Sequence, residues 1–198
     1  MVARKIAGIV LFFALITSTG CANLFDSESE VTIQSETNRV RTFPKKYASK
    51  LMTELRLNRR AWNQTPAGRV RIAEYEEAIR TLNSTRALRP LYLDDGLSRA
   101  ALDHAEDLIE HNRFSHAGSD GSSPGVRIQR HGSYAYPHGE NIIAGYNPVE
   151  SAVLGWVLSP GHLANILNPR YTLIGTAYIP GHQRYNWVGV QKFAGGRN

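Results

Sequence analysis

The sequence predicts an α+β fold, with helices first and a pair of strands closing the chain. Two observations lead there. Between residues 44 and 113, apolar residues recur at helical spacing in three successive segments, and a fourth such segment covers 148–158. After Tyr171 the period drops to two, as a half-buried strand requires. Helices and strands that are segregated along a chain, not interleaved, point to α+β.

The amino terminus stands outside that fold. Arg4 and Lys5 form a positive region, Ile6 to Ile16 an apolar one too short for a spanning helix, and Ser18, Thr19 and Gly20 a run of small residues before Cys21. The pattern resembles a bacterial lipoprotein signal over residues 1–20, with Cys21 as the acylated (palmitate-bearing) amino terminus. Cys21 is the only cysteine, so an internal disulfide is excluded. Residues 21–43 are rich in Ser, Thr, Glu and Asn and read as a polar tether.

Residues 44–68 read as a basic helical extension. Leu51, Leu55 and Trp62 recur at helical spacing with Met52 beside them, while Lys45, Lys46, Lys50, Arg56, Arg59 and Arg60 face only Glu54. Such a helix either lies on an anionic membrane or docks on the domain with its charges solvated. Thr65-Pro66-Ala67-Gly68 breaks it. The domain proper is placed at 69–198. Its first helix, 69–86, carries the stripe Ile72, Tyr75, Ile79, Leu82. The next begins at a cap on Asp94 or Asp95 and carries Leu97, Ala101, His104, Leu108 and His111. Residues 117–139, rich in Gly, Ser, Pro and Tyr, read as a long ordered loop. A helix over 148–158 follows. Ser159-Pro160 is the cap and first turn of a short helix ending at Asn168-Pro169. Ile174, Thr176 and Tyr178, a turn at Pro180-Gly181, then Trp187, Val188, Val190 and Phe193 make an antiparallel hairpin.

Charge narrows the partners. Loss of residues 1–20 removes Arg4 and Lys5 and no acid, taking the net charge from +6 to +4. With secretion, that balance argues against nucleic acid and leaves a membrane surface or wall polymer. A monomer is expected.

Three short motifs carry chemistry: Phe114-Ser115-His116, Gly139-Glu140-Asn141-Ile142, and Trp156 through Ser159-Pro160-Gly161-His162 to Asn165-Ile166-Leu167. His116, Glu140 and His162 all sit beside tight-turn residues, and a shared cleft would join metal-capable and proton-transferring groups. Two histidines and a glutamate form a known zinc ligand set with water in the open position. The same trio can do acid–base work without metal, or tie a loop to helix ends by hydrogen bonds alone. No HExxH helix is present. His104, on an apolar stripe, reads as a core histidine, and His111 as nearer the cleft. His131, His138 and His182 read as solvated. Ser159 is not in a nucleophile elbow, and N-capping explains it. Tyr134, Tyr136 and Tyr146 cluster around the Glu140 segment as candidates for a sugar or lipid groove.

Order and wording of these motifs resemble the CAP (SCP-like) domain family in its bacterial form. The resemblance covers residues 70–194. It includes Asn83 and Arg86, Ala101-Leu102-Asp103-His104-Ala105, Asp120 through Pro124 with Arg127, and Ile174-Gly175 with Tyr178. The resemblance implies a three-layer α-β-α sandwich around a small antiparallel sheet, with a cleft lined by His116, Glu140 and His162. Ser159 stands where eukaryotic relatives often carry a second glutamate, so a four-residue His/Glu site is incomplete. Three functions are then in view: a binding module using that cleft, a metal-dependent hydrolase acting on peptides or wall material, or a carrier of a small lipid. All imply an extracytoplasmic, lipid-anchored cell-envelope protein.

Overall fold

A computed structural model describes residues 27–197. The signal segment and the lipidation expected at Cys21 lie outside the described residues. Among the described residues seven helices and four strands follow in the order α1 (Ser27–Thr42), α2 (Pro44–Trp62), α3 (Pro66–Ser84), β1 (Tyr92–Leu93), α4 (Asp95–Glu110), α5 (Pro124–Arg130), β2 (Tyr134–Ala144), α6 (Val149–Leu158), α7 (Pro160–Ile166), β3 (Leu173–His182) and β4 (Asn186–Arg197). The sheet order is β1-β3-β4-β2. It is mixed, not wholly antiparallel as expected, because the two-residue β1 runs parallel to β3.

Alternation along the strands sends each face into its own helical layer. Ile142, Ala177, Ile179, Val188 and Val190 pack against Ala101, Ala105 and Leu108 of α4. On the other face Ile143, Ile174, Tyr178 and Phe193 join the apolar stripes of α1, α2, α3, α6 and α7. This is the α-β-α sandwich. Gly175 lets α4 lie close: a Cβ there would meet the Leu97–Ser98 backbone at 2.1 Å. Trp156 is fully buried in the larger cluster.

Helix α1 corrects the expected tether. Few apolar residues lie in it, yet Ile33, Thr37 and Val40 share one buried face. Its polar residues bind backbone. Asn38 donates through Nδ2 to the Leu91 carbonyl at 2.9 Å and accepts the Leu91 N–H at 2.7 Å. The buried Arg41 guanidinium donates to the carbonyls of Arg89, Ile166, Asn168 and Tyr171. Glu28 and Glu30 in the first turn and Arg39 and Arg41 in the last suit the helix dipole. The domain therefore does not begin at residue 69: α1 and α2 share its main core. Tyr47, Ala48, Leu51 and Leu55 turn α2 inward, which is the docking alternative for this helix.

Other elements agree or shift. Thr65 caps α3, its Oγ1 accepting the Gly68 N–H at 2.9 Å, with Pro66 as first helical residue. Asp94 caps α4 through the Leu97 N–H at 3.0 Å. The expected loop over 117–139 contains α5 and the start of β2. Ser123 caps α5, with residues 111–123 linking it to α4 and only 131–133 between it and β2. The closing hairpin turns at residues 183–185, since Pro180 and Gly181 still lie in β3.

Candidate functional site

The site begins with a buried carboxylate. Glu140 lies on β2, where its side chain faces α4, and not in a loop. Its Oε1 accepts from His116 Nδ1 at 2.7 Å. Its Oε2 accepts from Arg127 Nη2 at 2.9 Å and from Lys192 Nζ. Lys192 is directly opposite Glu140 in the β2–β4 register. His104 Nε2 lies 3.7 Å from Oε1 and donates to the Ser115 carbonyl at 3.0 Å. A carboxylate only accepts, so His116 donates from Nδ1. Its Nε2 is left as the outward nitrogen on a ring that is 53% exposed.

Electrostatics follow from this packing. Burial raises the Glu140 pKa, but the His116 hydrogen bond and the charge and hydrogen bond of Lys192 more than offset it, so the carboxyl is held well below its usual range. Burial pushes Lys192 down against the pull of Glu140. Burial likewise lowers His104 to about 4, so it is neutral at pH 7. Burial, then the charge of His116, lowers His162.

His162 sits elsewhere on the same feature. With Ser159, Ile142, Tyr146, Phe114 and Tyr185 it lines a cleft of about 510 Å³. Its Nδ1 is buried without a hydrogen-bond partner. Asn141 and Asn165 connect the two parts: Asn141 Nδ2 donates to the His162 carbonyl at 3.2 Å, and Asn165 Nδ2 to the Glu140 carbonyl at 3.2 Å. The structure thus joins His116 to Glu140 directly and sets His162 and Ser159 on the neighbouring groove. No hydrogen bond or ion pair among the described residues links the His162 ring to either partner.

A zinc ligand set of His116, Glu140 and His162 does not fit. Both Glu140 oxygens are committed, one of them to two cationic side chains, so a divalent ion would meet a carboxylate already neutralised. Among the described residues no group of three or more His, Cys, Asp and Glu side chains could hold a metal ion. Ser159 ends α6 and starts α7, but its side chain makes no capping bond, contrary to expectation.

Several residues fall differently from expectation. His104 is a core histidine and also belongs to the site. His111 is exposed at the end of α4, bonded to Asp107. His182 is buried, with its ring taken by the Arg113 carbonyl and the Arg184 N–H. His131 pairs with Asp103, and His138 stacks on Tyr136. The tyrosines separate: Tyr134 is core and bonded to Asp94, Tyr136 is exposed on another face, and only Tyr146 reaches the cleft. Sequence reasoning missed Lys192 as a site residue. Its register with Glu140 would have identified it, had β2 been recognised as a strand.

The cysteine-rich secretory protein (CAP) family model matches residues 34–193. Two Bacillus subtilis proteins are 32% identical to this chain: the uncharacterised protein YkwD over 121 residues, and the uncharacterised membrane protein YlbC over 101. These matches take in 59% and 51% of this chain but only 47% and 29% of those proteins, so the chain spans about half of one and less of the other. An outer surface protein of Borrelia burgdorferi superposes with a TM-score of 0.51 at 25% identity, over 65% of this chain and 92% of that one. The chain belongs to the CAP family of cysteine-rich secretory proteins, although it carries a single cysteine.

Proposed function

We propose that this is an extracytoplasmic, lipid-anchored cell-envelope protein whose CAP domain binds a ligand or partner in the cleft beside His116, Glu140 and His162. The observation that carries the reading is the buried, fully partnered Glu140. It fixes the half-exposed His116 ring at the border of the groove that Ile142, two residues along β2, lines together with His162, whose Nδ1 has no hydrogen-bond partner. Such preorganisation suits recognition. The signal pattern before Cys21 supports the anchor, and the similarity to an outer surface protein supports the location. A binding module is favoured over a metal-dependent hydrolase because Glu140, the carboxylate such a site would use, is already held by His116, Arg127 and Lys192.

The mature protein, labelled with nitrogen-15, is titrated with a solubilised wall digest and separately with a lipid extract. Perturbations are expected around Phe114, Tyr146 and His162, and they should vanish in His162→Ala. Silence with both probes would sink the reading. Breakdown of the digest that His116→Ala abolishes would make the protein a hydrolase, and a response to lipid alone would make it a carrier.

A further inference from the structure

The cleft contains a free sheet edge. Among the described residues, the order β1-β3-β4-β2 leaves β2 with no strand on its outer side. Its register against β4 is unbroken from Gly139 to Ala144. Just beyond, Gly145 donates its N–H to the Trp187 carbonyl at 2.9 Å, so odd-numbered residues bond inward to β4. In an antiparallel ladder the alternate residues then turn both backbone groups outward. Glu140 confirms the parity, since its carbonyl is taken from outside by Asn165. Ile142 and Ala144 come next in the same phase, and both line the cleft. No hydrogen bond to their outward N–H or carbonyl groups is found among the described residues.

We propose that the occupant of the cleft is an extended polypeptide segment that adds a strand to β2 and pairs its backbone with Ile142 and Ala144. This rests on the reading that the cleft is the ligand site. Donors and acceptors that recur every second residue, about 6.6–6.8 Å apart, match the repeat of an extended chain. The flanking groups suit one: Leu154 and Leu158 offer apolar contact, and Arg71 and Glu74 bring opposite charges that favour no strongly charged ligand. Alternate side chains of the docked segment lie on the α4 side, beside Phe114, and on the α7 side, beside His162.

Amide hydrogen exchange on the mature protein tests this. In the free protein the Ile142 and Ala144 amides exchange at least tenfold faster than those of Asn141 and Ile143. A pool of capped hexapeptides that alternate apolar and polar residues slows both. The same pool with every second amide N-methylated does not. Ala144→Pro removes an outward donor and no ladder bond, so it weakens peptide binding roughly tenfold without moving the melting temperature. Equal protection of all four amides in the free protein would overturn the proposal. Peptide shifts at His162 and Tyr146 with unchanged Ile142 and Ala144 amides would also overturn it, while leaving the cleft reading intact. So would a response to a wall glycan or a fatty acid but not to peptide. Silence to all three probes would remove both.

Discussion

At the scale of single residues, Glu140 governs the site because of what it neutralises. Arg127 and Lys192 are both buried against it. Glu140→Gln keeps the shape but leaves two buried cations without an anion. Removal of one partner from a buried charge cluster costs about 3–5 kcal/mol. Urea unfolding at pH 7 should show a loss of that size, and a loss under about 1 kcal/mol would mean that water reaches the cluster. His104 makes a separate prediction with pH. Its folded pKa is about 4 against 6.5 for the free side chain, because burial disfavours its charge. The unfolded chain therefore binds the proton first. The stabilisation is complete above pH 6.5 and is lost as pH falls towards 4, amounting to roughly 2–3 kcal/mol. His162, also lowered, adds a change of the same sign. Unfolding free energies between pH 7 and 4.5 check this. His104→Gln, which can keep a donor near the Ser115 carbonyl, should flatten the slope, and an unaltered slope would assign the effect to other groups.

At the scale of elements, legibility tracked apolar periodicity. Helices α2, α3, α4 and α6 each carry a stripe, and Ile72, Tyr75, Ile79 and Leu82 are all buried as their spacing requires. Helix α1 escaped because it is held largely by polar groups. Asn38, Thr37 and Arg41 bond to Leu91, Gln191 and four carbonyls far along the chain, contacts with no local signature. Strand β2 escaped because its glycine, proline and tyrosine content imitates a loop, and its Glu140 is admitted to the interior by Arg127 and by Lys192, the latter on a strand 52 residues away. The motif residues were legible, but their roles were not: composition could not show that Glu140 is already paired. Removal of α1 tests its standing. A chain beginning at Pro44 loses Ile33 and Val40 from the core and strands the carbonyls that Arg41 satisfies. It should unfold over a broad range or at a much lower temperature than a chain beginning at Ser27. Equal, cooperative melting of the two would return residues 27–42 to the status of a tether.

At the scale of the whole molecule, the proposed envelope location raises the question of what would hold the domain there. Among the described residues no helix is long and apolar enough to cross a membrane. Cys21 lies six residues before α1, and six extended residues reach about 20 Å, so an acylated Cys21 would keep the domain close to the headgroups. Each buried methylene contributes about 0.8 kcal/mol, and several chains together anchor far better than one. Among the described residues, a competing attachment could use the outer face of α2. There Lys45, Lys46, Lys50, Arg56 and Arg60 accompany the exposed Phe43, Met52 and Leu57. Attraction of that face to anionic lipid is electrostatic and weakens with salt, whereas acyl insertion does not. Cys21→Ser should therefore move the protein from the membrane pellet to the soluble fraction at both low and high salt. A mutant that stays with membranes at low salt and leaves at high salt would place the attachment on α2. One that stays at both would refute the acyl anchor outright.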